Sequence, residues 1–567
     1  MKKHVLVIAV CVLLLALVLF GCASHEEDTG EPSSSSASGD TVEETPPEQG
    51  AVLTEQIQKA KDYQIQQAEA DAAIQKEMEN GYTLEEPLVV VNPYNLSPLT
   101  AMVGFETQKE TTVAVVVKGK DSFTDIGHSF EDFSTRHLVP VYGLYAGTEN
   151  KVEITVTDRN GVVQTNTIAI QTEALPDDIS QVEVKVSVPE KMTAGLTFFD
   201  CPHINGNYCL AIDVNGDIRW YFADKSFNGS VMLTHLRNGN FLIPSGDVIP
   251  DTYNNLTCVH EVTPLGKLVN TYSVYGIHHD IREKTDGNLI FAASKEGEES
   301  QNDYIVEVDR STGEKVRDWD LMEIIPMTVY DTQPPYSGGL SNWLHNNAIW
   351  YIGEEDAFII SGRHQNMVMK FDAETKEIRW ILSETVGELN ENLRPYLLTP
   401  VNDGSEFEYP TSQHAAMQTP EGELMLFDNR NQDEQSADGS LDQSKLYSRV
   451  VRYEIDEDNM TVKQVWQYGK ERGTEIFSSF ISDVDYLGPE HYLMDFGGMY
   501  KLEDGSSYDH VLTPADVKNT AQKRAAVIEW LDGEILFEAH LYGNANSNAY
   551  KAERKDIYLN AKEVALK

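Results

Sequence analysis

Positive charge is scarce in this chain of 567 residues: 44 Lys and Arg stand against 91 Asp and Glu, a formal net charge of −47. A phosphate backbone is gripped by a basic footprint, so this balance argues against nucleic acid as a partner. It also means that an anionic substrate must be drawn in by local cations, against the overall field. Cysteine is scarce as well, five in all with no CxxC pair, which argues against a structural zinc site. No GxSxG elbow, P-loop, GxGxxG, HExxH or DxDxDG loop occurs, so the common nucleophile, nucleotide, zinc-protease and calcium signatures are missing. Hydrophobic residues make up 41% and aromatics 9%, enough for a sizeable core.

The N-terminus carries the longest apolar run. Lys2 and Lys3 precede Val5 to Phe20, a stretch too short to span a bilayer comfortably and the right length for a signal-peptide core. It ends Leu19-Phe20-Gly21-Cys22, which reads as a bacterial lipoprotein cleavage site with lipid on Cys22. An ordinary signal peptide and an uncleaved anchor are the alternatives. All three readings place the body outside the cytoplasm, and the first tethers it to the membrane. Cys201 and Cys209 flank the turn-like Asn205-Gly206-Asn207, so a local disulfide is plausible in an oxidising compartment. Cys258 is then a buried thiol.

Residues 23–51, rich in Ser, Glu, Pro and Gly, read as a disordered tether. Residues 52–81 lack Pro, are rich in Ala, Gln, Glu and Lys, and end at Gly81, which predicts a helix. Its weak apolar face, Ile57, Ala60, Ile65, Ala68 and Ala72, is expected against the body or a second subunit. From 85 to 190 the β-branched runs Leu88 to Val91, Thr112 to Val117, Val152 to Val156 and Thr165 to Ile170, with Asn160-Gly161 between the last two, predict a small β-sandwich.

Residues 195–567 contain an internal repeat. A strand, an acidic or turn residue and a second strand ending in Trp or an apolar residue recur at 211–220, 259–269, 306–319, 369–380, 452–466 and 527–537. A second phrase, strand–turn–strand, recurs around Gly239, Gly287, Asp356 and Gly422. Six hairpins with room for four strands each predict an all-β fold, a six-bladed β-propeller. Seven blades is the alternative, with one hidden in 373–452.

The repeat also serves as a ruler. His279 and His414 each lie eight residues before a turn glycine, Gly287 and Gly422. They therefore occupy equivalent places near the start of an inner strand, in different blades, and must converge near the axis. His345 lies slightly further ahead of its own turn, and Arg363 follows a strand from Ala357 to Ser361. Three imidazoles and a guanidinium fork at one point suit an oxyanion. His278, on a strand, would face away from His279. A three-histidine zinc or copper site is the competing reading, weakened by the cation beside it. A buried structural histidine is the bland reading of any one of them alone.

At these residues the sequence resembles the bacterial arylsulfate sulfotransferases, which use no nucleotide sulfate donor. The matching stretches are His279-Asp280-Ile281-Arg282-Glu283, Asn342-Trp343-Leu344-His345-Asn346-Asn347, Ile359-Ile360-Ser361-Gly362-Arg363-His364-Gln365, Ser412-Gln413-His414-Ala415 and Gln467 to Gly473. Asn92-Pro93-Tyr94 with Pro98 to Ala101 is similar to the opening of that family's N-terminal β-domain. The resemblance implies a six-bladed propeller behind a small β-domain, usually dimeric. It implies an enzyme that moves a sulfuryl group from a phenolic sulfate ester to a phenol by a ping-pong route. His414 matches the nucleophile, while His279, His345 and Arg363 match the groups that hold the sulfuryl oxygens. Asn347 and Tyr550 match positions lining the substrate pocket. No cofactor and no metal are expected. An aryl sulfatase and a non-catalytic binding propeller are the alternatives. The stretch Pro400 to Gln413 lacks the cysteine that some relatives carry in a loop before the nucleophile.

Overall fold

Each of the six hairpin phrases folds into the third and fourth strands of an antiparallel sheet. In the computed structural model these pairs are Leu210–Ile212 with Ile218–Tyr221, Leu256–Val262 with Leu268–Ile277, Tyr304–Val308 with Lys315–Asp320, Met367–Asp372 with Ile378–Leu382, Arg449–Asp456 with Thr461–Tyr468, and Gln522–Leu531 with Glu534–Tyr542. The structure describes residues 49–566 except 201–207, 224–232, 246–248, 253–254, 326–338, 387–389, 431–444, 503–521 and 544–545. The leader, Cys22, the tether up to residue 48 and Cys201 therefore lie outside the described residues. Among the described residues no helix is long and apolar enough to cross a membrane.

The turns around Gly239, Gly287, Asp356 and Gly422 join first strands to second strands. The first strands Ile281–Glu283, Asn346–Ile352, His414–Gln418, Asp483–Gly488 and Lys551–Lys555 each touch the next in that order, so they face a common axis. Among the described residues six such sheets are present, and the fold is a β-propeller preceded by a β-domain. The ring is closed by segments distant in the chain. Lys551–Lys555 supplies the inner strand of the sheet that continues through Leu196–Asp200. Gln181–Ser187, within the span 85–190 read as the sandwich, pairs instead with Glu534–Tyr542 as a fifth strand of the last sheet. Besides strands of the two sheets that flank it, the described part of the interval 373–452 holds a short 3₁₀ segment, Glu391–Tyr396, and a two-residue strand that extends an existing sheet.

Three of the four tryptophans that end a repeat phrase stitch one sheet to the next. Trp220 Nε1 donates to Pro264 O at 2.9 Å, Trp319 Nε1 to Ala373 O at 2.7 Å and Trp380 Nε1 to Glu457 Oε1 at 3.0 Å. In each case the acceptor lies at the outer turn of the following sheet, and the indole is buried between the two. A buried indole needs such a partner, which explains why the repeat favours Trp there.

The β-domain comprises Leu88–Val91, Thr100–Val117, Ile126–Tyr142, Glu149–Asp158 and Val163–Gln171. The second of these strands pairs with the first through its opening half and with the fourth through its closing half. Arg219, fully buried in the first propeller sheet, holds this domain in place. It donates to Gly143 O and Thr124 O, both at 2.9 Å, and to Asp213 at 2.7 Å, and stacks on Tyr145.

The helix runs Gln49–Met78 and packs on the 256–277 hairpin. Its buried face is Ala60, Gln67, Asp71, Ile74 and Met78, whereas Ile65, Ala68 and Ala72 are exposed. Of the expected face Ala60 is buried and the side chain of Ile57 lies outside the described ones; two polar residues, satisfied in the contact, take buried positions in place of the rest. Gln67 accepts from Leu268 N at 2.9 Å, and Asp71 meets Tyr94 OH at 2.7 Å and Lys267 Nζ at 2.5 Å.

Candidate active site

The histidines singled out by the repeat do come together. His279 precedes the inner strand Ile281–Glu283, His345 precedes Asn346–Ile352, and His414 opens His414–Gln418. The ring centroids of His279 and His345 are 4.5 Å apart, and Tyr550, just before the closing strand, lies 5.9 Å from His279 and 6.2 Å from His414. Arg363 begins a 3₁₀ turn directly after Ala357–Gly362, and its amide donates to His345 O at 3.2 Å. Its charge acts on His279, His345, His414 and Tyr550 alike.

The backbone at these points is not ordinary strand. His279, His345 and Ala415 have φ of 49°, 53° and 54°, a left-handed region that side chains with a Cβ rarely occupy and that clusters at functional sites. The ladder slips beside two of them, between Asn346 and Ala348 and between His414 and Met417. Such bulges re-aim side chains, here toward the axis.

The positive φ overturns one expectation. His278 does not face away from His279: the tight turn at His279, closed by Asp280 N donating to His278 O at 2.6 Å, swings the rings together, Nδ1 to Nδ1 at 2.9 Å. Strand alternation does not apply across that turn.

The hydrogen bonds of His278, His279 and His414 fix where their protons sit. Carbonyl oxygens only accept and amide nitrogens only donate. His278 Nε2 faces Ala293 O at 2.9 Å, so it carries the proton and Nδ1 accepts from His279 Nδ1–H. The Nε2 of neutral His279 therefore presents a lone pair. His345 Nδ1 lies 2.8 Å from Asn342 Nδ2 and 3.5 Å from Asn302 Nδ2, whose own oxygen is taken by Asn255. His345 Nδ1 is thus held between two side-chain amides. His414 Nδ1 lies 2.6 Å from Asn429 Oδ1, whose Nδ2 donates to Ser478 O and Ile481 O. His414 is therefore protonated at Nδ1 and presents the Nε2 lone pair.

Burial keeps these rings neutral. It pushes His414 down to about 3, with Arg363 adding to the effect, and His278 and His364 down to about 4. His279 and His345 are also held well below the usual imidazole range, by burial first and then by neighbouring rings and Arg363. Burial raises the Tyr550 phenol, helped by Asp280 and Asp483 and opposed by Arg363. Arg363, a fixed cation acting on all three rings, weighs against a metal among them.

Beneath the rings sits an anchor. Asp280 Oδ1 meets Lys551 Nζ at 2.8 Å, while Oδ2 meets Arg282 at 3.1 Å and accepts from Ile349 N at 2.9 Å. This carboxylate ties together the inner strands of three sheets, those carrying His279, His345 and Tyr550. Arg282 and Lys551 hold it below the usual carboxylate range although burial works the other way.

Asn347 Nδ2 donates to Gln413 O at 2.8 Å, beside the nucleophile candidate. Asn347 Oδ1, both amide atoms of Asn346 and the Tyr550 hydroxyl are buried without a hydrogen-bond partner among the described residues. Buried polar atoms are nearly always satisfied, so this cluster points to a polar ligand. Backbones approach closely next to Tyr550 and Ile481: a Cβ on Gly497 would lie 1.7 Å from Ala549 O, and one on Gly498 2.0 Å from Phe480 O. Cys209 Sγ donates to Asp200 at 3.7 Å, and its expected partner Cys201 lies outside the described residues. Asn429, His278, His364 and Asp280 were not singled out from sequence for these roles.

The family described as Arylsulfotransferase (ASST) matches residues 181–551, and its Arylsulfotransferase Ig-like domain matches 88–173. The chain belongs to the arylsulfotransferase family. It is therefore an enzyme, an arylsulfate sulfotransferase, as the resemblance implied. It is 26% identical over 522 residues to the Arylsulfate sulfotransferase AssT of Lelliottia amnigena, spanning 73% of this chain and 85% of that protein. To the protein of the same name from Escherichia coli O6:H1 (strain CFT073) it is 25% identical over 523 residues, with the same coverage. Among solved structures, the β-propeller domain of Myceliophteria thermophila Cps50 (Swd1) overlaps 55% of this chain and 95% of its own, with 11% identity and a TM-score of 0.27.

Proposed function

We propose that the enzyme works by a ping-pong route through a sulfohistidine at His414. The observation that carries this is the Nδ1–H bond of His414 to the Asn429 amide oxygen, which leaves the lone pair of the neutral ring on Nε2, in a site where the Arg363 charge acts on that ring. That lone pair attacks sulfur, the N–S bond forms, and the S–O bond to the aryl group breaks with its electron pair on oxygen. Sulfuryl transfer, like phosphoryl transfer, has a loose transition state with charge on the peripheral oxygens. Arg363, and His345 with a proton on Nε2, meet that charge without changing protonation.

His279 holds the mobile proton. Its Nε2 lone pair would repel the oxygens of a sulfate ester, so donor binding brings a proton onto it. The departing aryl oxide takes that proton and leaves as a phenol. In the return step an acceptor phenol gives its proton back to His279 Nε2, its oxygen attacks sulfur, and the N–S electron pair returns to His414. Tyr550 and Asn347 donate to and accept from the phenolic oxygens. Phenolic sulfate esters and phenols are the substrates, and the lipobox at Cys22 supports an enzyme tethered outside the cytoplasm.

The test is a single turnover with 4-nitrophenyl sulfate without acceptor. A burst of one nitrophenol per chain and a mass gain of one SO₃ on the peptide containing His414 are expected. Steady release of nitrophenol with no labelled protein would replace this route by direct transfer to water.

A further inference from the structure

We propose that Asn429 is the positioning residue of the reaction: its amide oxygen holds His414 as the Nδ1–H form and keeps the ring cationic once Nε2 carries SO₃. The inference deepens the histidine-intermediate reading and rests on it.

The first half follows from geometry. Asn429 is fully buried at the end of the second strand of its sheet. Both amide protons are committed, to Ser478 O at 2.8 Å and Ile481 O at 2.9 Å. Neither carbonyl can donate, so the amide cannot turn over without setting oxygen against oxygen. The surrounding scaffold is neutral and closed on itself: Ser448 Oγ donates to Asn429 O at 3.0 Å, Ser478 Oγ meets Ser482 Oγ at 2.7 Å, and Gly498 N donates to Ser478 Oγ at 2.7 Å. The carboxylate next in sequence, Asp428, turns away to Arg449 at 2.9 Å.

The second half follows from what an amide oxygen cannot do. When Nε2 bonds to sulfur, the ring keeps its Nδ1 proton, because Asn429 accepts a hydrogen bond but no proton. The intermediate is then an N-sulfo-imidazolium. Its leaving group in the return step is a neutral imidazole, with the N–S electron pair returning to Nε2. Removal of the Nδ1 proton would make that leaving group an imidazolide and the N–S bond inert. A carboxylate at this position, familiar from triads in which it stabilises an imidazolium, would instead favour protonated His414 in the resting enzyme and block attack.

The experiment uses the full chain with Asn429→Leu and Asn429→Asp, read by the nitrophenol burst and by ¹⁵N resonances of His414. In the wild type the ¹⁵N spectrum should show Nδ1 protonated and Nε2 bare. N429L should lose about 10³-fold in burst rate. N429D should gain a pH dependence the wild type lacks, its burst rate falling about tenfold or more between pH ~8 and pH ~5.5 as Nε2 takes up a proton. A residue that is merely structural would lower the burst amplitude and leave the pH profile unchanged. A wild-type resonance pattern with Nε2–H overturns the proposal even if both variants fail to fold. So does N429L bursting at the wild-type rate, or N429D with a level profile. If the wild type shows no burst and no label, the sulfohistidine reading itself fails; if it labels normally and the variants match it, only the role of Asn429 fails.

Discussion

Acidification should leave the first chemical step untouched far below the pH at which an ordinary histidine loses its nucleophilicity. Burial and Arg363 hold His414 down to about 3. At pH ~5 the neutral fraction of such a ring is about 0.99, whereas a histidine at the unperturbed value of ~6.5 would be only ~3% neutral. Between pH ~8 and pH ~5 the burst rate at saturating donor should therefore change by less than about twofold, against a drop of about thirtyfold for an unperturbed nucleophile. Rapid acid quench with 4-nitrophenyl sulfate measures this, because the product is then read at one pH. A good leaving group keeps proton donation by His279 from limiting the rate. Donor affinity should behave oppositely: if binding brings a proton onto His279, the donor Kd rises with pH at the alkaline end, up to about tenfold per unit. A burst rate that titrates with a midpoint near 6.5 would refute the claim that the environment of His414 keeps it neutral.

Three further outcomes follow from the structure. His278→Ala removes the acceptor for His279 Nδ1–H; turnover of unactivated phenyl sulfates should fall about 10²-fold and that of nitrophenyl sulfates much less, seen as a steeper dependence of rate on leaving-group basicity. His278 and His364 are held at about 4, while unfolded they titrate near ~6.5. The unfolded chain thus binds more protons between these values, and stability falls as pH drops from about 6.5 toward 4, by up to ~3 kcal/mol for each ring. Denaturant unfolding of wild type and His364→Phe across that range should show a shallower slope in the variant. Trp319→Phe removes the bond to Ala373 O and leaves a buried carbonyl unpaired, which should cost about 1–3 kcal/mol in the same assay.

The repeat made the sheets legible because local strand–turn–strand phrases carry their own pairing. It also made His279 and His414 legible as equivalent positions, since a shared offset survives folding. Contacts between segments distant in the chain were not legible: nothing local in Gln181–Ser187 or Lys551–Lys555 says which sheet each joins. His278 was read on the wrong side because a strand's alternation was carried across a residue with φ of 49°. The helix face was misread at Ile65, Ala68 and Ala72 because Gln67 and Asp71 are buried in specific hydrogen bonds, although hydropathy counts both as solvent-facing. Asn429 carried no signal at all, since an Asn after a strand is ordinarily a turn residue.

The strand Lys551–Lys555 joins a sheet whose other members were synthesised some 330 residues earlier, and Tyr550 and Lys551 arrive with it. A growing chain cut short before that point has its imidazoles but lacks the ammonium that meets Asp280 and the phenol between the rings. The catalyst therefore comes into being in a single late event, when the ring is drawn shut. A polypeptide still being made would hold the imidazoles of the site without the two side chains that complete it.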